Sequence, residues 1–251
     1  MHSLSHFADI PKSPAIAVIH EDDALAVVAK PPGLLVHRSP VDRRAHDFLL
    51  QRLRDQLGMR LYPVHRLDRP TSGIMLFAKT PAAARFLAAQ FEGGTVRKTY
   101  LALARGWPQS QRIDYPLPTL DAVTAKKSGA AQAARSRVRL IARYELPLAN
   151  VRHPTSRYAL VALAPDSGRR HQLRRHLKHI FHPILGDSSY GDLRHNRAFA
   201  AWSGVQRLWL HAASLAFVHP DGQRVQHRAA PDKEWQDILY KMQENRYFLP
   251  S

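Results

Sequence analysis

Apolar positions along the chain fall mostly into short runs that alternate or are continuous, and Gly, Pro and Asp punctuate them. Ala15–Lys30, AIAVIHEDDALAVVAK, predicts two strands around a turn at Glu21-Asp22-Asp23, closed by Pro31-Pro32-Gly33. GIMLFAK (73–79) reads as a buried strand, and KTYLALARG (98–106), RVRLIARYE (137–145), RYALVALAP (157–165) and RLWLHAASLAFVHP (207–220) as further strands. Helical spacing is found at four places. In HDFLLQRLRDQLG, Phe48, Leu49, Leu53 and Leu57 share a face and Gly58 ends it. A second helix starts at Thr80-Pro81, N-cap and first turn, buries Leu87 and Phe91, and stops at Gly93-Gly94. GRRHQLRRHLKHIFHP (168–183) repeats Leu173, Leu177 and Phe181 at i, i+4, i+8, and DKEWQDILYKMQ (232–243) closes the chain. Strands outnumber helices and do not alternate strictly with them, which predicts an α+β fold over a doubly wound one.

No composition shift marks a second domain, so residues 14–251 are read as one domain behind a loose tail at 1–13. Thr119–Arg135, TLDAVTAKKSGAAQAAR, lacks periodicity and reads as a mobile basic loop around Lys126-Lys127. The N-terminus has no apolar signal core and no run approaches a membrane span, so a soluble cytoplasmic chain is expected. Nothing indicates a protein partner, and a monomer is expected.

Charge changes this picture. Lys and Arg number 37 against 20 acids among 251 residues, a formal +17, which points to a polyanion, nucleic acid first. The alternatives are a basic protein kept soluble by its charge, or one adsorbing to anionic lipid. The chain contains no cysteine, which removes disulfides, thiolate nucleophiles and Cys-ligated metals. It has no Gly-x-Gly, and GDSSYG with Asp192 puts an acid where a phosphate loop needs Lys. His176, His179 and His182 fall at i, i+3, i+6, but helical His among arginines more readily contacts phosphate or structure, so no metal is assigned.

What remains is one acid among cations. In HRLDRPTSG (65–73), Asp68 follows Arg66 and precedes Arg69, on a turn stiffened by Pro70 and Gly73. Nearby cations favour the ionised carboxylate, an acceptor suited to act as nucleophile or base. An Asp that caps the turn and pairs with an Arg is the structural alternative. On the predicted helix, Arg170, Arg174 and Lys178 form one stripe, and His171, Arg175 and His179 another. Like charges so dense call for an anion among them, and RNA phosphate is the natural one; Arg97, Lys98, Arg105 and the Lys126-Lys127 loop fit the same partner.

HRLDRPTSG followed by Ala78-Lys79 resembles the catalytic motif of the RluA-type pseudouridine synthases. KPPGLLVH (30–37), KTYLALARG, GRRHQLRRH (168–176), HPILGD (182–187) and LWLHA (208–212) follow in the family's order, so the resemblance spans about residues 15 to 220. The finer likeness is to the TruC-type group, which acts on uridine-65 of tRNA; no S4-type RNA-binding domain, found on many ribosomal-RNA-modifying relatives, is expected. The resemblance implies a bent, mostly antiparallel mixed sheet flanked by helices, with a catalytic cleft on the sheet. It also implies an isomerase that breaks a uridine's N-glycosidic bond and rejoins the base through C5, without metal or cofactor. Its substrate would be tRNA, with ribosomal RNA or another tRNA position as the alternative; a scaffold that binds RNA without catalysis is the rival of a different class. Carried over by residue, Asp68 matches the nucleophile, Tyr100 the aromatic that stacks on the flipped base and takes the C5 proton, and Arg174 the cation paired with the carboxylate. Arg66 matches the residue that enters the RNA, and Leu210 the apolar neighbour of the base. Arg69, Lys98, Arg170, His171, Arg175 and Lys178 are expected to contact the RNA. Plainer roles compete: Tyr100 as a strand residue, Leu210 as core, Arg174 as a phosphate contact. Thr119–Ala134 matches no part of the family pattern.

Overall fold

The computed structural model describes residues 14–37, 46–121, 127–150 and 153–247. Strands β1 (Ala17–Glu21) and β2 (Leu25–Lys30) form the expected antiparallel pair. Their turn is closed by the Asp22 carboxylate, which accepts from the backbone of Ala24 and Leu25 at 2.8 and 2.9 Å. Helix α1 (Leu49–Leu57) ends at Gly58, where φ is 65°. Strand β3 (Tyr62–Pro63) precedes β4 (Ser72–Ala78), every residue of which is buried. Helix α2 (Pro81–Glu92) begins as its sequence predicts, with the Thr80 hydroxyl accepting from Ala83 N at 3.1 Å.

Next come β5 (Arg97–Arg105), β6 (Gln111–Asp114), β7 (Leu117–Leu120), β8 (Lys127–Gln132), β9 (Arg135–Leu146) and β10 (Ser156–Pro165). Helices α3 (Gln172–His179) and α4 (Leu193–Ser203) lead to β11 (Leu210–Val218) and β12 (Arg224–Arg228). Helix α5 (Lys233–Gln243) and β13 (Arg246–Tyr247) complete the described chain. One mixed sheet runs β1-β2-β4-β11-β5-β10-β9-β13, with β12 on β11, β3 on β4 and β6 on β9. All these pairings are antiparallel except β4 with β11. The α+β class is therefore as expected. No helix among the described residues is long and apolar enough to cross a membrane.

The parallel join of β4 and β11 sets Ser72 opposite His211 and Gly73 opposite Ala212, and so carries the loop before β4 alongside Leu210. Gly73 has φ 115°, and a β-carbon there would stand 2.2 Å from the Ala212 carbonyl oxygen. Only glycine permits this approach. The Leu173 and Leu177 face of α3 packs over Ala102, Ala104, Val161, Leu163 and Leu210, roofing β5, β10 and β11 beside the join. Trp209, Trp235, Tyr144 and Tyr158 fill a separate cluster with α4 and α5.

Three expectations need correction. The segment after Thr119 is not a loop throughout: β7 and β8 pair as a separate hairpin, Leu117 opposite Gln132 and Pro118 opposite Ala131. Its second strand, KSGAAQ, has no large apolar residue, and Ser128–Ala131 are exposed, so no apolar alternation announced it. Lys126 lies outside the described residues. Helix α3 starts only at Gln172, after His171 in a left-handed conformation at φ 54°, so Arg170 is not on the helix and heads no helical stripe. Finally, α4 was not anticipated, although Asp192 caps it by accepting from Arg194 N and His195 N.

Candidate active site

Residues 66–71 connect β3 to β4, and their backbone is pinned from β2. The Lys30 ammonium is 2% exposed and donates to the carbonyls of Pro31 (2.8 Å), Arg69 (3.0 Å) and Thr71 (2.8 Å). All three of its donors are used. Burial pushes its pKa down to about 7, with Asp68 opposing and Arg207 and Arg69 adding to the fall. Gly33 N donates to the Arg69 carbonyl at 2.9 Å, Arg69 Nε returns to the Gly33 carbonyl at 3.0 Å, and Thr71 N closes the turn on the Asp68 carbonyl at 3.0 Å. Behind the loop, Arg207 Nη2 donates to the Ser72 hydroxyl at 2.9 Å, which donates to His211 Nδ1 at 3.0 Å. His211 Nε2 then donates to the Ala229 carbonyl at 3.1 Å. The loop backbone is thus held before any ligand arrives.

Asp68 rises from this support with its side chain about a quarter exposed. Arg174 Nη1 donates to its Oδ2 at 3.1 Å, and His171 Nε2 stands 3.7 Å from Oδ1. Arg174 is only 4% exposed and is gripped by Asp187, Nε to Oδ2 and Nη2 to Oδ1, each at 2.8 Å. Asp187 also accepts from the backbone of Ser189 and Tyr190 at 2.9 and 3.0 Å. Burial alone would raise the Asp187 pKa, but the Arg174 and backbone bonds outweigh it and hold it low. For Arg174, burial works against the charge, and Asp187 and then Asp68 more than restore it, so its pKa lies above the usual range. Tyr190 lies under the Arg174 guanidinium at 5.3 Å and meets His171 Nδ1 through its hydroxyl at 3.1 Å.

A cleft of about 120 Å³ opens above Asp68, and Arg66, Lys98, Tyr100, His171, Arg174 and Leu210 line it with Thr71. Burial raises the Tyr100 pKa above the usual phenol range, and the Asp68 charge adds to this. The floor beneath Tyr100 and Leu210 is the β5–β11 pairing, where Ala212 faces Tyr100 and Leu210 faces Ala102. The cleft therefore offers one anion, a phenol, an apolar wall and a ring of cations, suited to a planar uncharged ring carried on an anionic backbone.

Four expected contact residues do not line the cleft. Arg69 reaches back to Gly33. Arg170 Nη1 is bound to the Asp121 carbonyl, and Arg175 to the carbonyls of Pro118 (3.0 Å) and Arg170 (3.4 Å), so Arg175 ties the β7–β8 hairpin to α3 and Arg170 ties the residue after β7 to the turn before α3. Lys178 is exposed, with Nζ 5.9 Å from the Tyr190 ring. The outward stripe is corrected too: Arg174 points inward, and its neutralising anion is Asp187. Arg105 likewise has its own acid, Asp192, at 2.6 Å. The three helical histidines take separate partners: His176 meets Ser136 and the Tyr115 carbonyl, His179 stacks on Tyr115, and His182 donates to the Arg105 carbonyl. Sequence reasoning missed Asp187, Lys30 and Tyr190 as parts of the site. HPILGD and KPPG were visible as motifs, but nothing local in them says that an acid and a lysine point at residues far along the chain.

The family model for RNA pseudouridylate synthase matches residues 24–179 of this chain. The tRNA pseudouridine synthase C of Pasteurella multocida is 48% identical over 230 residues, 89% of this chain and 95% of that protein. That of Haemophilus ducreyi is 46% identical over 227 residues, 88% and 93% of the two chains. Among solved structures, human RNA pseudouridylate synthase domain containing 4 superposes with a TM-score of 0.69 at 25% identity, covering 90% of this chain and 93% of that one. Fold and cleft together define an enzyme that isomerises uridine in RNA. The chain belongs to the RNA pseudouridylate synthase family.

Proposed function

We propose that this enzyme makes pseudouridine in tRNA, at uridine-65, with Asp68 as nucleophile on a uridine turned out of its helix. The observation that carries the reading is the division of labour at Asp68. Oδ2 accepts from Arg174, Oδ1 stands 3.7 Å from His171 Nε2, and the carboxylate lines the cleft with Tyr100 and Leu210. The tRNA assignment is supported by relatives named for it that are 44–48% identical.

In the isomerisation the C1′–N1 bond breaks, a C1′–C5 bond forms, C5 loses its hydrogen and N1 gains one. The balance closes without a co-reactant. Extruding the base costs on the order of a few kcal/mol, which Arg66 at the cleft mouth and cationic contacts to phosphate offset. Leu210 and Tyr100 then hold the free ring between an apolar wall and a π-face. The buried Arg174 guanidinium gives the Asp68 carboxylate a charged partner when the bound base displaces water. The Tyr100 phenol keeps its own proton at neutral pH. It can take the C5 proton only as its own phenolic proton moves on, to the Asp68 carboxylate once that is released from the sugar and finally to N1, so the proton count closes.

The test is Asp68→Asn. Pseudouridine formation in unmodified tRNA should vanish while tRNA affinity stays within about threefold, since the amide keeps size and shape. Product from the variant, or wild-type product in ribosomal RNA and none at tRNA position 65, would end the proposal.

A further inference from the structure

Phe181 combines two costs at one position. Its backbone has φ 62°, one of two non-glycine residues with positive φ among those described, the other being His171 in the cleft. Its ring is 80% exposed. An L side chain in this region is strained, and an exposed phenyl ring leaves its apolar surface in water. The conformation is fixed from several sides. Phe181 N donates to the Lys178 carbonyl at 3.0 Å, His182 N to the Leu177 carbonyl at 2.9 Å, and Arg105 Nη2 holds the Phe181 carbonyl at 2.9 Å. Strain kept in place by such bonds is grounds for a functional hypothesis.

The surroundings say what would cover the ring. Arg105 also binds Asp192 through Nη1, and Leu193, the next residue, is 60% exposed. Lys178, three residues before Phe181, and Arg194, next to Leu193, are both exposed. An apolar surface set among cations suits a nucleobase whose backbone carries phosphate, and is poorly suited to an uncharged apolar partner. Lys178 stands on the last turn of α3, which ends at His179, two residues before Phe181.

We propose that the Phe181 ring is a stacking platform for a base of the substrate RNA outside the cleft. The proposal rests on the tRNA reading above. Its test is the Kd of unmodified tRNA transcript for wild type, Phe181→Asn and Phe181→Tyr, each titrated at several salt concentrations. Asparagine tolerates positive φ, so this variant should melt no lower than wild type, yet bind about tenfold or more weakly. The log–log salt slope should not move, because stacking on a ring displaces no phosphate counterions. Phe181→Tyr keeps the π-face and should bind within about twofold of wild type. Wild-type affinity in Phe181→Asn overturns the proposal, as does a Phe181→Tyr protein that binds as weakly as Phe181→Asn. Wild type that leaves tRNA unmodified overturns the function proposed above instead, whatever the variants bind.

Discussion

Asp187 accepts two hydrogen bonds from Arg174, both 2.8 Å, and thereby fixes which single nitrogen is left for Asp68. The guanidinium is aimed by a buried acid that does not line the cleft. Asp187→Asn leaves the charge of Arg174 without its buried partner and offers an amide donor where an acceptor is needed. A hydrogen bond to a charged group contributes about 1.5–3 kcal/mol, so the single-turnover rate should fall roughly 10- to 100-fold. The melting point should fall as well, because breaking a buried pair costs about 3–5 kcal/mol. Arg174→Lys should fare no better, since an ammonium cannot make the planar two-point contact. Single-turnover assays and thermal melts of both variants check this; a full-speed Asp187→Asn enzyme would remove Asp187 from the aiming role.

Lys30 gives a pH-dependent consequence. Its pKa falls from 10.5 to about 7 in the folded protein, chiefly by burial. Between those values the unfolded chain binds the extra proton, so this residue makes unfolding free energy rise with pH from about 7 to about 10.5. In Lys30→Met the dependence should lose up to one proton, about 1.4 kcal/mol per pH unit. Above pH 7 the neutral amine has two donors for three carbonyls, so the loop loses one bond as the protein gains stability. Denaturant titrations at pH 7, 8, 9 and 10 measure the difference between wild type and variant. Parallel curves would mean that Lys30 keeps its proton throughout.

The sequence was most readable where local chemistry decides structure. Thr80-Pro81 capped a helix as its residues require, and the uninterrupted run of GIMLFAK became a strand buried along its whole length. The cleft lining at Asp68, Tyr100, Arg174 and Leu210 could be carried over from family motifs, because those motifs keep their order along the chain. What was not readable depended on direction. A helical wheel cannot say that Arg174 faces inward while Lys178 stays in water; that depends on Asp187, thirteen residues on, being buried beneath the helix. The β7–β8 hairpin escaped notice because its second strand lacks the large apolar residues that mark a half-buried strand.

Gly73 tests the geometry of the β4–β11 join. Alanine there would need φ 115° and would set its methyl 2.2 Å from a backbone oxygen, which cannot swing away as a side chain could. Overpacking together with a disfavoured backbone region should cost about 3–5 kcal/mol. Because the join carries the Asp68 loop beside Leu210, activity of the folded fraction should fall further than stability alone accounts for. Denaturation curves with activity normalised to folded protein separate the two effects. A Gly73→Ala protein of wild-type stability would mean that the strands can part at this point without loss.

Arg175 and Lys178 looked equivalent as phosphate ligands in the sequence, and the structure separates them. Arg175 spends its guanidinium on the carbonyls of Pro118 and Arg170, tying the β7–β8 hairpin to α3. Lys178 is exposed beside Tyr190 and is free to meet a phosphate. Removing one cation that meets a phosphate should flatten the log–log salt dependence of tRNA binding by about 0.7–0.9. Lys178→Ala should show that change with little effect on melting. Arg175→Ala should leave the slope where it was and instead loosen the hairpin, seen as faster backbone hydrogen exchange in residues 117–120 and 128–132. If Arg175→Ala flattens the slope as much as Lys178→Ala does, its guanidinium leaves the hairpin for the RNA on binding, and the hairpin must be released when the complex forms.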